Sequence, residues 1–266
     1  MPHVTTGDGT RIHYRFDGAE GSPVLLLSNS LGTVLEMWDP QMPALAERFR
    51  VLRYDSRGHG RSDAPAGPYT IERLGRDAVE LLDALDIDRV LFCGLSKGGM
   101  VGQWLGVNAP ERIGRLVLAN TSAFIGSPEV WNARIETVRR DGMAAIVPGV
   151  IDRWFTQHFR KADPAAVERI AAMLRDTPPE GYAACCAAVR DMDQRADIAG
   201  IAVPTLVISG THDLATPPAQ SQLIAAAIPG AALVDLDAAH LSNVEQADLF
   251  TRNLIGFLQM TETKHG

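Results

Sequence analysis

Six short apolar runs, at residues 24–27, 51–54, 90–93, 116–119, 206–208 and 233–236, recur along the 266-residue chain, mostly separated by helix-patterned stretches. A strand that is apolar on both faces needs cover on both faces. Such runs therefore read as buried parallel strands, and the stretches between them as the covering helices. This alternation commits the chain to an α/β architecture. The clearest helical stretch places Ile71, Leu74, Ala78, Leu81, Leu82 and Leu85 on one face of a 3.6-residue period. Residues 38–49 have amphipathic spacing and predict another helix. Residues 11–16 alternate and predict part of an N-terminal hairpin.

The rhythm breaks between residues 122 and 197, where no strand pattern occurs and helical stretches are punctuated by Pro128, Pro148, Pro164, Pro178 and Pro179. A helical block inserted between two strands predicts a lid over the carboxyl edge of the sheet, where a site would acquire its substrate preference. The expected division is a core of residues 1–121 and 198–266 and a lid of residues 122–197.

Composition narrows the function classes. Apolar residues make up 46% and charged residues 21%, which fits a globular chain with a sizeable core. The formal charge of −7 and the lack of a basic cluster argue against nucleic acid as a partner. No stretch approaches the ~20 apolar residues of a membrane span, and the first residues lack the apolar core of a signal peptide. The expectation is a cytoplasmic protein with no membrane partner. Cys93, Cys185 and Cys186 are too few for a disulfide framework and read as reduced thiols. Neither a metal-ligand spacing nor a phosphate loop is present, so no metal or cofactor is expected. The glycine-rich run Asp55-Ser-Arg-Gly-His-Gly60 reads as a tight turn with an internal Asp55–Arg57 pair.

The strongest local signal is Gly94-Leu95-Ser96-Lys97-Gly98. Composition alone predicts roughly 0.09 chance copies of G-x-S-x-G in a chain like this. Here it follows an apolar run and opens a helical stretch, the strand–turn–helix context in which such a serine is exposed as a nucleophile. A serine needs a base, and the base needs an orienting acid. In this strand order both should follow the serine, acid first, at the ends of later strands. His3, His13 and His59 precede Ser96, His158 lies in the inserted block and His265 in the C-terminal tail. His212 and His240 remain, and His240 follows the last strand, so His240 is expected as base and Asp213 as acid. Asn120 ends the strand before and cannot carry the charge; Asp235 and Asp237 are too close in sequence to His240. The backbone N–H groups of Leu31 and Lys97 are the expected oxyanion donors. The Lys97 side chain is expected to point away.

The chain resembles the α/β-hydrolases, and within them the 3-oxoadipate enol-lactonases. The likeness is carried by Leu27-Ser-Asn-Ser-Leu-Gly-Thr33, Tyr54-Asp-Ser-Arg-Gly-His-Gly-Arg-Ser62, Cys93-Gly-Leu-Ser-Lys-Gly-Gly-Met100, Gly181-Tyr-Ala-Ala-Cys-Cys186, Gly210-Thr-His-Asp213 and Ala239-His-Leu-Ser-Asn-Val-Glu245. The resemblance implies a mostly parallel eight-stranded sheet flanked by helices, with the lid after the sixth strand. It also implies a Ser96–Asp213–His240 triad that opens an unsaturated lactone bearing a carboxymethyl group. Once water is excluded, that substrate's carboxylate requires a local cation or several N–H donors. Arg134 near Trp131 and Arg153 beside Trp154 are candidates. Arg134 is favoured as the clamp, with Trp131 and Trp154 as an apolar wall. Rival readings on the same scaffold are a carboxylesterase, a carbon–carbon bond hydrolase, a cofactor-free perhydrolase, or a receptor that kept the fold. Dehalogenases and epoxide hydrolases need a carboxylate nucleophile, and position 96 is serine.

Overall fold

The structure, a computed structural model, describes residues 2–260. Eight strands form one sheet: β1 (His3–Thr5), β2 (Arg11–Asp17), β3 (Val24–Ser28), β4 (Arg50–Tyr54), β5 (Val90–Leu95), β6 (Ile113–Ala119), β7 (Thr205–Gly210) and β8 (Ala232–Leu236). Their spatial order is β1-β2-β4-β3-β5-β6-β7-β8. β2 runs antiparallel to β1 and β4, and every other neighbouring pair is parallel. The expected hairpin is thus β1–β2. β7 is buried along its whole length, whereas edge strand β8 buries only Leu236.

The predicted helix over residues 71–85 is α2 (Ile71–Ala84), capped by Thr70, whose hydroxyl accepts the Arg73 N–H. α2 packs against α3 (Lys97–Asn108), which lies on β3, β5 and β6. Residues 38–49 do not form the predicted helix. They divide into a 3₁₀ segment, Leu35–Gln41, and a single turn, α1 (Met42–Leu45). Pro40 and Pro43 each lack an N–H and crowd the preceding turn, so the amphipathic spacing cannot be realised as one α-helix.

Five helices lie between β6 and β7: α4 (Pro128–Asp141), α5 (Val147–Trp154), α6 (Gln157–Ala162), α7 (Pro164–Asp176) and α8 (Pro179–Asp191). α4 packs along α8 and α5 against α7. An isolated bridge, Phe124 to Asp193, closes the base of this segment. α9 (Pro218–Ala227), α10 (Ser242–Glu245) and α11 (Ala247–Leu258) are the remaining helices among the described residues. Among the described residues no helix is long and apolar enough to cross a membrane.

The turn at residues 55–60 follows β4. Its internal Asp55–Arg57 pair does not form. Arg57 instead makes a two-pronged contact with Asp77 of α2, both bonds at 2.5 Å, and reaches Asp8 at 2.8 Å. Asp55 accepts the N–H groups of Leu35 and Arg61. Two residues on such a turn cannot meet with fork geometry, whereas a helix twenty residues away presents its carboxylate squarely. The Arg57 and Asp77 side chains are 3% and 2% exposed. Asp77→Ala therefore leaves a buried guanidinium and should cost about 3–5 kcal/mol in urea unfolding. Asp8→Ala, whose carboxylate is 39% exposed, should cost at most about 1 kcal/mol.

Candidate active site

Five strand ends converge on one side of the sheet. Ser96 follows β5, Asn120 follows β6, Asp213 lies three residues beyond β7, His240 four beyond β8, and Leu31 three beyond β3. In parallel sheets the carboxyl ends of the strands are where ligands bind.

Ser96 has φ 57° and ψ −116°, in the left-handed half of backbone space that side chains avoid. Its N–H donates to Ala119 of β6, and its carbonyl accepts the Thr121 hydroxyl and the Met100 N–H. The chain on both sides packs backbone on backbone. A Cβ at position 94 would fall 2.1 Å from the Gly98 carbonyl oxygen, and one at position 98 would fall 2.1 Å from the Ser28 carbonyl oxygen. Glycine is therefore mandatory at both ends of the pentapeptide.

His240 Nδ1 lies 2.8 Å from Asp213 Oδ2. Asp213 Oδ2 also accepts the Thr216 hydroxyl at 2.8 Å and the Asn120 amide at 3.1 Å, and Oδ1 accepts the N–H groups of Ala215 and Thr216. Burial pushes the Asp213 carboxyl up, but His240 and the Thr216 donors outweigh it and hold the group below the ordinary carboxylate range. With Nδ1–H given to a carboxylate, Nε2 keeps the ring's free lone pair. His212 lies elsewhere, exposed and paired with Asp237 at 2.8 Å. His265 lies outside the described residues.

The sequence reading set Asn120 aside as an acid and missed its use as a donor. Its backbone is also in the left-handed region (φ 44°), its backbone N–H donates to Ile208, and its side-chain amide oxygen Oδ1 accepts the Ser242 hydroxyl. The signal was a polar amide at a strand end, where a carboxylate would otherwise stand. Glu245 was also missed. Its carboxylate accepts the Ala239 N–H beside His240 and both the N–H and the hydroxyl of Thr156 at the start of α6. Leu241 N–H donates to the Trp154 carbonyl. The histidine loop is thus bonded to the inserted helices.

A cavity of about 280 Å³ is lined by Ser96, His240, Leu31 and Lys97, and by Trp131, Arg134, Arg153, Trp154 and Tyr182 from the inserted segment. Every sequence-predicted site residue except Asp213 lines it, and Asp213 sits directly behind His240. The Trp154 ring lies 5.8 Å from the His240 ring, and the Arg134 guanidinium lies 4.7 Å from the Trp131 ring centre. Among the described residues neither Arg134 nor Arg153 has an ion-pair partner; Arg134 faces the Tyr182 hydroxyl. Burial and the nearby Arg134 cation push Arg153 below its ordinary pKa. The Lys97 amine turns under the sharp strand-to-helix elbow at residues 94–98, 1% exposed, and donates to the Ser56 hydroxyl at 2.6 Å.

A family model of the alpha/beta hydrolase fold matches residues 23–247. The chain belongs to the α/β-hydrolase family. This α/β-hydrolase is 41% identical to 3-oxoadipate enol-lactonase 2 of Acinetobacter baylyi over 245 residues, 92% of each chain. It is 37% identical to 3-oxoadipate enol-lactonase 1 of the same organism, over 96% of each. A crystal structure of the enol-lactonase from Burkholderia xenovorans LB400 superposes with a TM-score of 0.96 at 50% identity, covering 97% of this hydrolase and all of that chain.

The loop that carries Leu31 is held from below by His59, which is fully buried. Its Nε2 accepts the Gly32 N–H at 2.8 Å, and its Nδ1 lies 3.1 Å from the Arg57 carbonyl, so the ring is neutral with the proton on Nδ1. Burial and the Lys97 charge lower its pKa from an ordinary 6.5 to about 3. The unfolded chain therefore binds a proton that the folded chain refuses, and stability falls as pH drops from about 6.5 toward 3. Between pH 7.5 and 5.5 this one group should remove about 1 kcal/mol. Urea titrations of the parent chain and of His59→Gln at both pH values check it; the variant should lose that much less on acidification.

Proposed function

We propose that this chain hydrolyses 3-oxoadipate enol-lactone to 3-oxoadipate through an acyl-enzyme on Ser96. The observation that carries the reading is the pair of arginines, Arg134 and Arg153, facing the same small cavity as Ser96 and His240 with no ion pair to either among the described residues. Two unpaired cations in a half-buried pocket raise each other's energy, and an anionic substrate relieves both. The names of the enol-lactonase relatives supply the lactone.

In this reading residues 122–197 are a cap on a core of residues 1–121 and 198–266, and the cap brings Arg134, Trp131 and Trp154 to the substrate. Arg134 grips the carboxymethyl group, while Trp131 and Trp154 wall the ring. Ser96 Oγ attacks the ring carbonyl as His240 Nε2 takes its proton, and Asp213 holds the imidazolium that forms. The Leu31 and Lys97 N–H groups receive the oxyanion. Collapse breaks the ring C–O bond and expels an enolate, which His240 protonates. Tautomerisation to the ketone removes a nucleophile that could re-close the ring. Water deprotonated by His240 then attacks the acyl carbon and releases the dicarboxylate. The scheme uses no cofactor, and its setting is the cytoplasm, in bacterial breakdown of aromatic compounds. Buried, unpaired Cys93, Cys185 and Cys186 are compatible with a reducing compartment.

Loss of lactone absorbance in the ultraviolet tests the chemistry. Ser96→Ala and His240→Gln should each lower kcat by at least about 10⁴-fold; substantial turnover by Ser96→Ala would refute the acyl-enzyme. The clamp has its own test. Arg134→Met should reduce kcat/KM for the anionic lactone by about 10²-fold, as expected when a buried charge loses its partner. A neutral p-nitrophenyl ester should change by less than about threefold. Equal losses on both would discard the clamp.

A further inference from the structure

The turn at residues 55–60 touches the loop carrying Leu31 on one side and the elbow carrying Lys97 on the other. On the first side His59 Nε2 accepts the N–H of Gly32, the residue after Leu31, at 2.8 Å. On the second, Ser56 Oγ accepts the Lys97 Nζ at 2.6 Å. The turn itself has little freedom. Arg57 pins it to Asp77 and Asp8, and its Ser62 neighbour donates to the Asp55 carbonyl at 2.6 Å. Its approach is fixed one step earlier, where the Tyr54 hydroxyl meets Ser28 Oγ at 2.8 Å and the Tyr54 carbonyl accepts the Asn29 amide.

We propose that this turn sets the spacing between the two oxyanion donors, with His59 and Ser56 as positioning residues. His59 fixes the peptide that follows Leu31, and Ser56, through the Lys97 side chain, fixes the first residue of α3. The inference rests on the reading that the Leu31 and Lys97 N–H groups receive the oxyanion. It gives a purpose to two features that the reaction itself does not use. One is a fully buried histidine that must stay neutral to accept from a backbone N–H. The other is a buried lysine whose amine bonds to a hydroxyl rather than to a carboxylate. A donor displaced by about 1 Å can forfeit about 10²-fold in rate, because stabilisation is gained only where the charge develops.

The test uses the full chain with the enol-lactone and with a neutral p-nitrophenyl ester, beside Ser96→Ala and with thermal melts of every variant. His59→Leu keeps bulk but offers no acceptor, and should lower kcat about 10²-fold on both substrates with KM changed less than about threefold. His59→Gln can present its amide oxygen to Gly32 and should recover most of that loss. Ser56→Ala should lower kcat about tenfold in a protein that melts near the parent. A folded His59→Leu or Ser56→Ala with kcat within twofold of the parent would overturn the proposal. So would losses confined to KM. If His59→Leu does not fold, Ser56→Ala decides alone. Full activity in Ser96→Ala would overturn the reading of the site itself, a different failure.

Discussion

A serine does not hold φ 57° and ψ −116° by preference; a residue in such a region carries roughly 1–3 kcal/mol of strain that its surroundings must offset. Here the surroundings are backbone. The Ser96 peptide is bonded to β6 through Ala119 and to the next loop through Thr121, while Gly94 and Gly98 let three segments approach closer than any side chain would allow. The rest of the site is arranged around that fixed point. α3 begins there, β3 ends against it, and the cavity opens above it.

Charge is distributed with the same economy. A chain of formal charge −7 places Arg134 and Arg153, neither with an ion pair among the described residues, in the cavity that its serine and histidine line. The buried Arg57–Asp77 ion pair is not part of that cavity's lining. Asp213 is stabilised as an anion by five donors and needs no arginine or lysine beside it.

The parallel sheet, the elbow and the chain order of Asp213 and His240 were legible because each is written in local pattern: apolar runs, a five-residue motif, and polar residues just past strand ends. What escaped depended on partners distant in sequence. Arg57 chooses Asp77 over Asp55 because fork geometry is satisfied only across the fold. Asn120 donates to Asp213 across 93 positions. Residues 38–49 had the spacing of a helix, and two prolines counted for more than the spacing. Tyr182 was quoted only as part of a family pattern, yet it is buried, lines the cavity and faces Arg134.

The histidine loop and the inserted helices share bonds: Glu245 joins Ala239 to Thr156, Leu241 is tied to Trp154, and the Trp154 ring lies beside His240. In the proposed reaction, substrate choice and proton transfer are therefore mechanically one assembly. A lineage that remodels these helices to admit a new ligand also re-aims its imidazole, so changes of specificity on this scaffold should travel with compensating changes around residues 239–245. Grafting another hydrolase's inserted helices onto this core without that loop would misplace the imidazole even with every catalytic residue retained.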